Sequence, residues 1–421
     1  MLELDAAWRS SLTSLMATWV QKHGGARGDT EPRIEILEVE ELVEGRPGIL
    51  DVLANVDGEL AHAVLGLRTP GEEVRFVRSG DDAVLGLHED ALGLGMVVDA
   101  LLDTELAPLV LAVVTGDGGD PGAVSLVADD DSGLTLLFSE RYSLTVFPWL
   151  FDRPHPGVEL LVALDEAGFN HLAAPVALWR RGGRDLGMVQ EPMAGAAAGW
   201  ALALTSLRDL YAGDGPPEDA GGDFASEARA LGVMTGRMHV SLERAFGRRA
   251  ENVAARLDIV ATRLRTEDPS LLETPGLATV VEALRTAGTR LTTIRTHGDF
   301  GLERVARTDQ GWMVADTMPG GYRPGGIGPE FRSPLEDVAD MFWSFHRVAL
   351  AAALEREPSD FGSLIDQAKA WEARNRRAFL VGYLATAGIG GLVPADREMV
   401  RNLVGVLELE RAAERGSRPG D

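Results

Sequence analysis

Thr296-His297-Gly298-Asp299-Phe300-Gly301-Leu302-Glu303-Arg304-Val305, followed by Trp312-Met313-Val314-Ala315-Asp316-Thr317, is the densest chemical text in the chain. The apolar run that ends at Asp316 reads as a strand, so a hairpin separates the two carboxylates Asp299 and Asp316. Phosphoryl transfer needs one carboxylate to orient the attacking hydroxyl and accept its proton, and another to hold magnesium against the phosphates. Asp299 and Asp316 suit those roles. A His-Gly-Asp tripeptide by itself is equally a loop with an Asx turn; the second Asp at the end of an apolar strand favours the catalytic reading.

Around this segment the composition sets bounds. A chain of 421 residues is too long for one ordinary core and suggests two or three units. Hydrophobic content of 45% with 25% charged residues is that of a globular protein with ample core material. No run approaches the ~20 apolar residues that span a bilayer. The start MLELDAAWRS lacks the basic and then apolar pattern of a signal peptide, so a cytoplasmic location is expected. The absence of cysteine excludes disulfides, thiolate zinc sites and cysteine nucleophiles. A formal charge of -25 repels nucleic acid and anionic membranes, so neither is expected as a partner. The same field favours a cationic small molecule, although solubility alone also accounts for an acidic balance.

Upstream the text is strand-like. Ile34 to Val39, Gly48 to Val56 and Leu60 to Leu67 read as short antiparallel strands. The runs at Asp117 to Pro121 and Asp129 to Gly133 are turn chemistry, and the second lacks the ligand pattern and terminal Glu of an EF-hand loop. Leu134 to Val146 suggests two strands, Val158 to Leu161 opens a helix, and the pair Val176 to Trp179 and Leu186 to Gln190 brackets the turn Arg181-Gly182-Gly183-Arg184. After about Gly199 helical spacing dominates, as in Leu231, Met234 and Met238, and again in Val338, Met341, Phe345 and Val348. The stretch Ala212 to Gly222 reads as a loop. The fold class expected is α+β, strands first and helices second, without internal repeats.

On these residues the chain resembles aminoglycoside phosphotransferase-like kinases, and among them actinobacterial maltokinases and glucosamine kinases. The resemblance begins with the His297-Gly298-Asp299 and Asp316 segments. It continues in Leu186 to Met193 with Gly199-Trp200, which look like the strand and hinge that meet adenine. Arg332 to Ala339, Trp371-Glu372 and Phe379 to Tyr383 extend it, over about residues 134 to 410. It implies a bilobal, protein-kinase-like fold: a cap at 1–110, a nucleotide lobe with hinge at 111–195, and a helical lobe with catalytic loop and acceptor site at 196–421. It also implies ATP as co-substrate, Mg2+ as cofactor, a sugar or amino-sugar acceptor, and a monomer or homodimer.

Three departures from the family pattern shape the expected site. Thr145 stands where the phosphate-contacting lysine belongs, which leaves its helical partner Glu159 without a cation unless Arg141 fills the gap. Arg304 stands where an amide metal ligand belongs and has no acceptor to offer, so Glu303 is expected to join Asp316 as metal ligand while Arg304 reaches the phosphates. The pattern HGDxH becomes His297-Gly298-Asp299-Phe300-Gly301, and Met318-Pro319-Gly320-Gly321-Tyr322-Arg323 replaces an acidic segment. Both changes resemble the glucosamine kinases, which phosphorylate the primary hydroxyl of a cationic amino sugar.

An ammonium group is best held by carboxylates in a partly dry pocket. The substrate-binding set expected is therefore Asp299, Glu372 beside Trp371, Glu408, and His297, which orients the loop; Glu191 and Met193 join Glu159 and Arg304 as nucleotide contacts. Glu372 and Glu408 also fit a solvated helix face, Trp371 also fits a core, and Asp337 fits a loop-bracing carboxylate better than a metal ligand. The paired glycines Gly320-Gly321 and Gly325-Gly326 lack a P-loop context. Glucosamine, maltose and an aminoglycoside stay open as acceptors, and the departures at Thr145 and Arg304 also suit a nucleotide-binding pseudokinase.

Overall fold

The computed structural model describes residues 6–23, 32–90, 93–130, 133–193, 195–213, 215–288, 290–317, 331–356 and 361–416. The segment Met318 to Arg323, the paired glycines after it and the tip of the turn at 131–132 lie outside the described residues. The chain divides into two compact units, the first holding residues 1–159 and 173–194, the second 160–172, 195–319 and 329–421.

The first unit opens with helix α1 (Ala6–Lys22) and strands β1 (Ile34–Val43), β2 (Gly48–Val56) and β3 (Glu59–Arg68). The single turn α2 (Gly80–Ala83), β4 (Val84–Asp90) and β5 (Gly93–Asp99) follow, and the sheet order is β1-β2-β3-β5-β4. The three strands expected first are there and antiparallel. α1 lies outside the expectation, although Leu12, Leu15, Met16, Trp19 and Val20 recur at helical spacing. Those side chains are buried against Val52, Ala54, Ala63 and Leu65, each contributing about 1.5–3 kcal/mol on removal from water.

The other face of the sheet is covered as well, which explains why β2 and β3 read as nearly continuous apolar runs. Helix α3 (Leu106–Thr115) presents Leu106, Val110 and Leu111 to a cluster that includes Ile49 and Val64. The same cluster takes in Leu136, Leu144 and Val189 of the second sheet, built from β6 (Val124–Asp130), β7 (Gly133–Phe138) and β8 (Tyr142–Val146). The short β9 (Trp149–Leu150) pairs with β3, then come α4 (Pro156–Glu166), β10 (Pro175–Arg181) and β11 (Arg184–Gln190), giving the order β10-β11-β8-β7-β6. A shared core and the β3–β9 pairing thus place both sheets in one compact unit.

In the second unit β12 (Ala197–Ala198), α5 (Gly199–Tyr211) and α6 (Ala225–Phe246) lead to β13 (Arg248–Asn252), α7 (Val253–Glu267), α8 (Leu277–Thr286) and β14 (Arg290–Arg295). β15 (Val305–Thr308), β16 (Gly311–Val314) and β17 (Phe331–Arg332) precede α9 (Leu335–Leu354), α10 (Phe361–Leu384) and α11 (Arg397–Gly416). The expected apolar rows Leu231, Met234, Met238 and Val338, Met341, Phe345, Val348 are all buried. Helices α6 and α10 touch backbone to backbone, because a Cβ on Gly232 would lie 2.1 Å from the Phe379 carbonyl oxygen. Trp371 stacks on Phe224 with centroids 5.8 Å apart and donates Nε1–H to Ser206 Oγ at 3.0 Å, which makes it core rather than a sugar platform. Among the described residues no helix is long and apolar enough to cross a membrane.

Candidate active site

β14 delivers the chain into the His297-Gly298-Asp299 loop, and the β15–β16 hairpin returns it to Asp316. Gly298 has φ +87°, a left-handed conformation that favours glycine and turns both its own amide and that of His297 toward helix α9. Asp337, fully buried in the first turn of α9, receives them: His297 N–H donates to Oδ2 and Gly298 N–H to Oδ1, each at 2.9 Å. His239 of α6 donates Nε2–H to the same Oδ2 at 3.0 Å, and Tyr383 O–H meets the other ring nitrogen at 2.9 Å. Burial pushes the Asp337 carboxyl up, but the His239 hydrogen bond and the surrounding positive dipoles outweigh it, so its pKa lies below the usual value. The brace anticipated at Asp337 is therefore a five-residue network.

Further bonds fix the rest of the loop. Leu302 N–H donates to Ser344 Oγ at 3.1 Å, and Phe300 N–H points to Asp340 at 3.4 Å. Asp340 in turn pairs with Arg411 of α11 at 2.6 Å. His297 is fully buried and donates Nε2–H to the Asp316 carbonyl at 2.8 Å, which ties the loop to the end of the hairpin. Its place among substrate-binding residues is corrected on that ground: it orients the loop from inside the core.

Arg304 is the centre of charge. It pairs with Asp299 Oδ2 at 2.7 Å through one terminal nitrogen and with Asp316 Oδ2 through the other. Burial works against this guanidinium, yet the fields of Asp316 and then Asp299 outweigh it, so Arg304 stays charged beyond the ordinary range for arginine. Two carboxylates around one guanidinium leave a net single negative charge. The pair also suits magnesium chemistry, since that ion is usually held by one or two carboxylates together with substrate phosphates.

Glu303 does not join this cluster. It accepts from Arg347 at 3.0 Å, and Arg347 lies over the Trp200 ring, 5.3 Å from its centroid. Glu303 thus meets Arg347 while Asp316 meets Arg304, and among the described residues no group of three or more acidic or histidine side chains is placed to hold a metal. Glu372 and Glu408 are also placed elsewhere. Arg376 bonds both, at 3.0 Å to Glu408, and His346 Nδ1 lies 3.2 Å from Glu372. A guanidinium meets both carboxylates, and Glu408 also lines a cavity along α10 and α11.

In the first unit, Thr145 is buried on β8 with its hydroxyl 2.9 Å from that of Thr135, a partner that a lysine would displace. Arg141 pairs with Asp117 at 3.2 Å and so does not stand in for that lysine. Glu159 is exposed in the first turn of α4. Glu191 follows β11 and donates its N–H to the Ala174 carbonyl at 3.0 Å, and Met193 is half-buried just beyond it. The sequence reading missed Asp340, Ser344, His239 and Tyr383; the first two are signalled by their spacing from Asp337 on α9.

A strand-rich first unit followed by a helical unit with a braced His-Gly-Asp loop is a kinase-like fold. Solved structures of glucosamine kinase share it. One, in complex with glucosamine, ADP and inorganic phosphate, has 19% sequence identity over 94% of this chain and 93% of that one, with a TM-score of 0.61. A second crystal form has 19% identity over 98% and 94%, with a TM-score of 0.65. No family model matches the sequence.

Proposed function

We propose that the chain is an ATP-dependent sugar kinase whose acceptor is glucosamine, phosphorylated on its 6-hydroxyl. The observation that carries this reading is the pairing of Asp299, on a loop braced by Asp337, with Asp316 across the hairpin through Arg304. Asp299 aligns the sugar hydroxyl and accepts its proton as the oxygen attacks the γ-phosphorus, the bond to the bridging oxygen breaks, and ADP leaves. Asp316 is the side chain that would hold magnesium, with Glu303 as the second candidate ligand, and the ion would supply charge neutralisation on the phosphates. Arg304 is placed to follow the phosphates with one of its donors, restoring the cation that Thr145 does not provide. The net negative charge of the cluster favours a cationic acceptor, and the glucosamine-bound structure of the same fold supports an amino sugar.

An ADP-release assay with magnesium and ATP tests this, comparing glucosamine, N-acetylglucosamine, glucose, maltose and an aminoglycoside, with Asp299→Asn as control. Asp299-dependent turnover of glucosamine alone is expected. Turnover of maltose or the aminoglycoside instead would keep the kinase and replace the acceptor. Thr145 and the Arg304 clamp favour one second reading, a nucleotide-binding protein without turnover, which predicts ATP binding and no ADP release with any acceptor.

A further inference from the structure

A cavity of about 700 Å³ lies along α10 and α11. The two helices run antiparallel beside it: Arg376 of α10 pairs with Glu408 late in α11, while Leu384 near the end of α10 and Arg397 at the start of α11 line its other end. Its floor is Phe342 of α9, and Leu380, Val381, Leu384, Val400 and Val404 form the walls. Phe342 is two positions from both Asp340 and Ser344, about 200° around the helix, so it lies on the face of α9 turned away from the loop those two residues hold.

The rim carries three cations. Arg377, Arg397 and Arg401 are exposed and pair with no described residue, in a chain whose net charge is -25. Arg397 and Arg401 are one turn apart on the same face, in the first turns of α11, where the helix dipole disfavours a cation. Asp396 accepts the Glu398 N–H at 2.8 Å and forms an ion pair with neither arginine. Three unpaired guanidinium groups beside an apolar groove complement an anionic head joined to an apolar chain.

We propose that this groove binds a free anionic amphiphile, with a carboxylate or phosphate head on Arg397 and Arg401 and an acyl chain running along the apolar walls toward Phe342. The volume is that of a site for a drug-sized ligand. Guanidinium pairs match planar or tetrahedral oxyanions, and the apolar walls match a chain without further polar groups. Glu408 closes the Phe342 end against Arg376, so that end takes the tail. The overall negative charge opposes an anionic membrane surface, which selects the monomeric molecule over a bilayer.

Calorimetric titration of the full chain with decanoate and decyl phosphate below their micellar concentrations tests the site, with 1-decanol and decyltrimethylammonium as neutral and cationic controls. One saturable site is expected for the anions, at least tenfold weaker for both controls. The double variant Arg397→Gln with Arg401→Gln, at two exposed positions, is expected to weaken anion binding at least tenfold without lowering the melting temperature. Val381→Asn, in the apolar lining, is expected to weaken decanoate and decyl phosphate alike while leaving the head preference. Equal affinity for every head group, no saturation, or undiminished binding in the double variant would overturn the proposal. So would capture by phosphatidylglycerol vesicles, or by an acidic helical peptide, without binding of free decanoate.

Discussion

Replacing Asp337 by Asn removes one charge and no volume, and its consequences can be worked out donor by donor. Three buried donors end on this carboxylate: the amides of His297 and Gly298 and the Nε2–H of His239. An asparagine has one acceptor oxygen, so in either orientation its NH2 faces a backbone N–H that has no other acceptor. Leaving one such donor unsatisfied costs about 1–3 kcal/mol, and the bonds that survive lose their charge assistance, about 1 kcal/mol each. Asp337→Asn is therefore expected to destabilise the chain by about 3–5 kcal/mol in urea unfolding. Because the affected donors lie next to Asp299, the loop should also shift, and a displacement near 1 Å lowers turnover about 100-fold. In the ADP-release assay kcat should fall by about 10- to 100-fold with little change in KM for ATP, which a purely structural brace would not produce. A variant within about 0.5 kcal/mol of the parent, or one with parental kcat after correction for the folded fraction, would refute the reasoning.

Asp299→Asn should reduce kcat by about 100- to 10,000-fold while ATP binding, followed by calorimetry, persists. Arg304→Gln leaves Asp299 and Asp316 facing each other without their cation, so kcat/KM for ATP should fall at least about tenfold, and parental kinetics would exclude Arg304 from phosphate contact. The cluster of His346, Glu372, Arg376 and Glu408 should make stability fall as pH rises. Burial first, and Glu372 against the opposing Arg376, push the Glu408 carboxyl up to about 7, so between about pH 4.5 and 7 the unfolded chain loses that proton first. His346 acts in the same direction, since its hydrogen bond to Glu372 raises its pKa and its contribution fades as pH climbs through that value. Melting temperatures from pH 5 to 8 should decline, and Glu408→Gln should flatten the slope below pH 7, which for one group is at most about 1.4 kcal/mol per unit. Gly232→Ala, whose Cβ would meet the Phe379 carbonyl oxygen at 2.1 Å, should destabilise by about 3 kcal/mol or more in urea.

Sequence periodicity carried the strands β1 to β3 and the apolar row of α9 because each is set within a few residues of itself. The same rule held the helix α1, whose Leu12, Leu15, Met16 and Trp19 were legible but lay in a stretch dominated by strand signals. Asp337 was readable as a brace because an acid in the first turn of a helix beside a tight loop has few other uses. Glu372 and Glu408 were not, because a carboxylate on a helix looks the same whether it is solvated, waits for an ammonium or meets a guanidinium. What decides is that Glu372 stands one turn before Arg376 on α10 while α11 brings Glu408 to the same guanidinium, and that meeting is set by the packing of two helices. Arg304 is the converse case. Its text announced a cation in the catalytic hairpin, and the fold places that cation on both acidic residues at once. A guanidinium so placed serves two opposite ends: it keeps two carboxylates in register for phosphates that it can then follow, or it neutralises them and replaces chemistry with binding. Thr145 is common to both, so it cannot discriminate between them, whereas removal of Arg304 can: a kinase loses turnover with it, and a binding protein has none to lose.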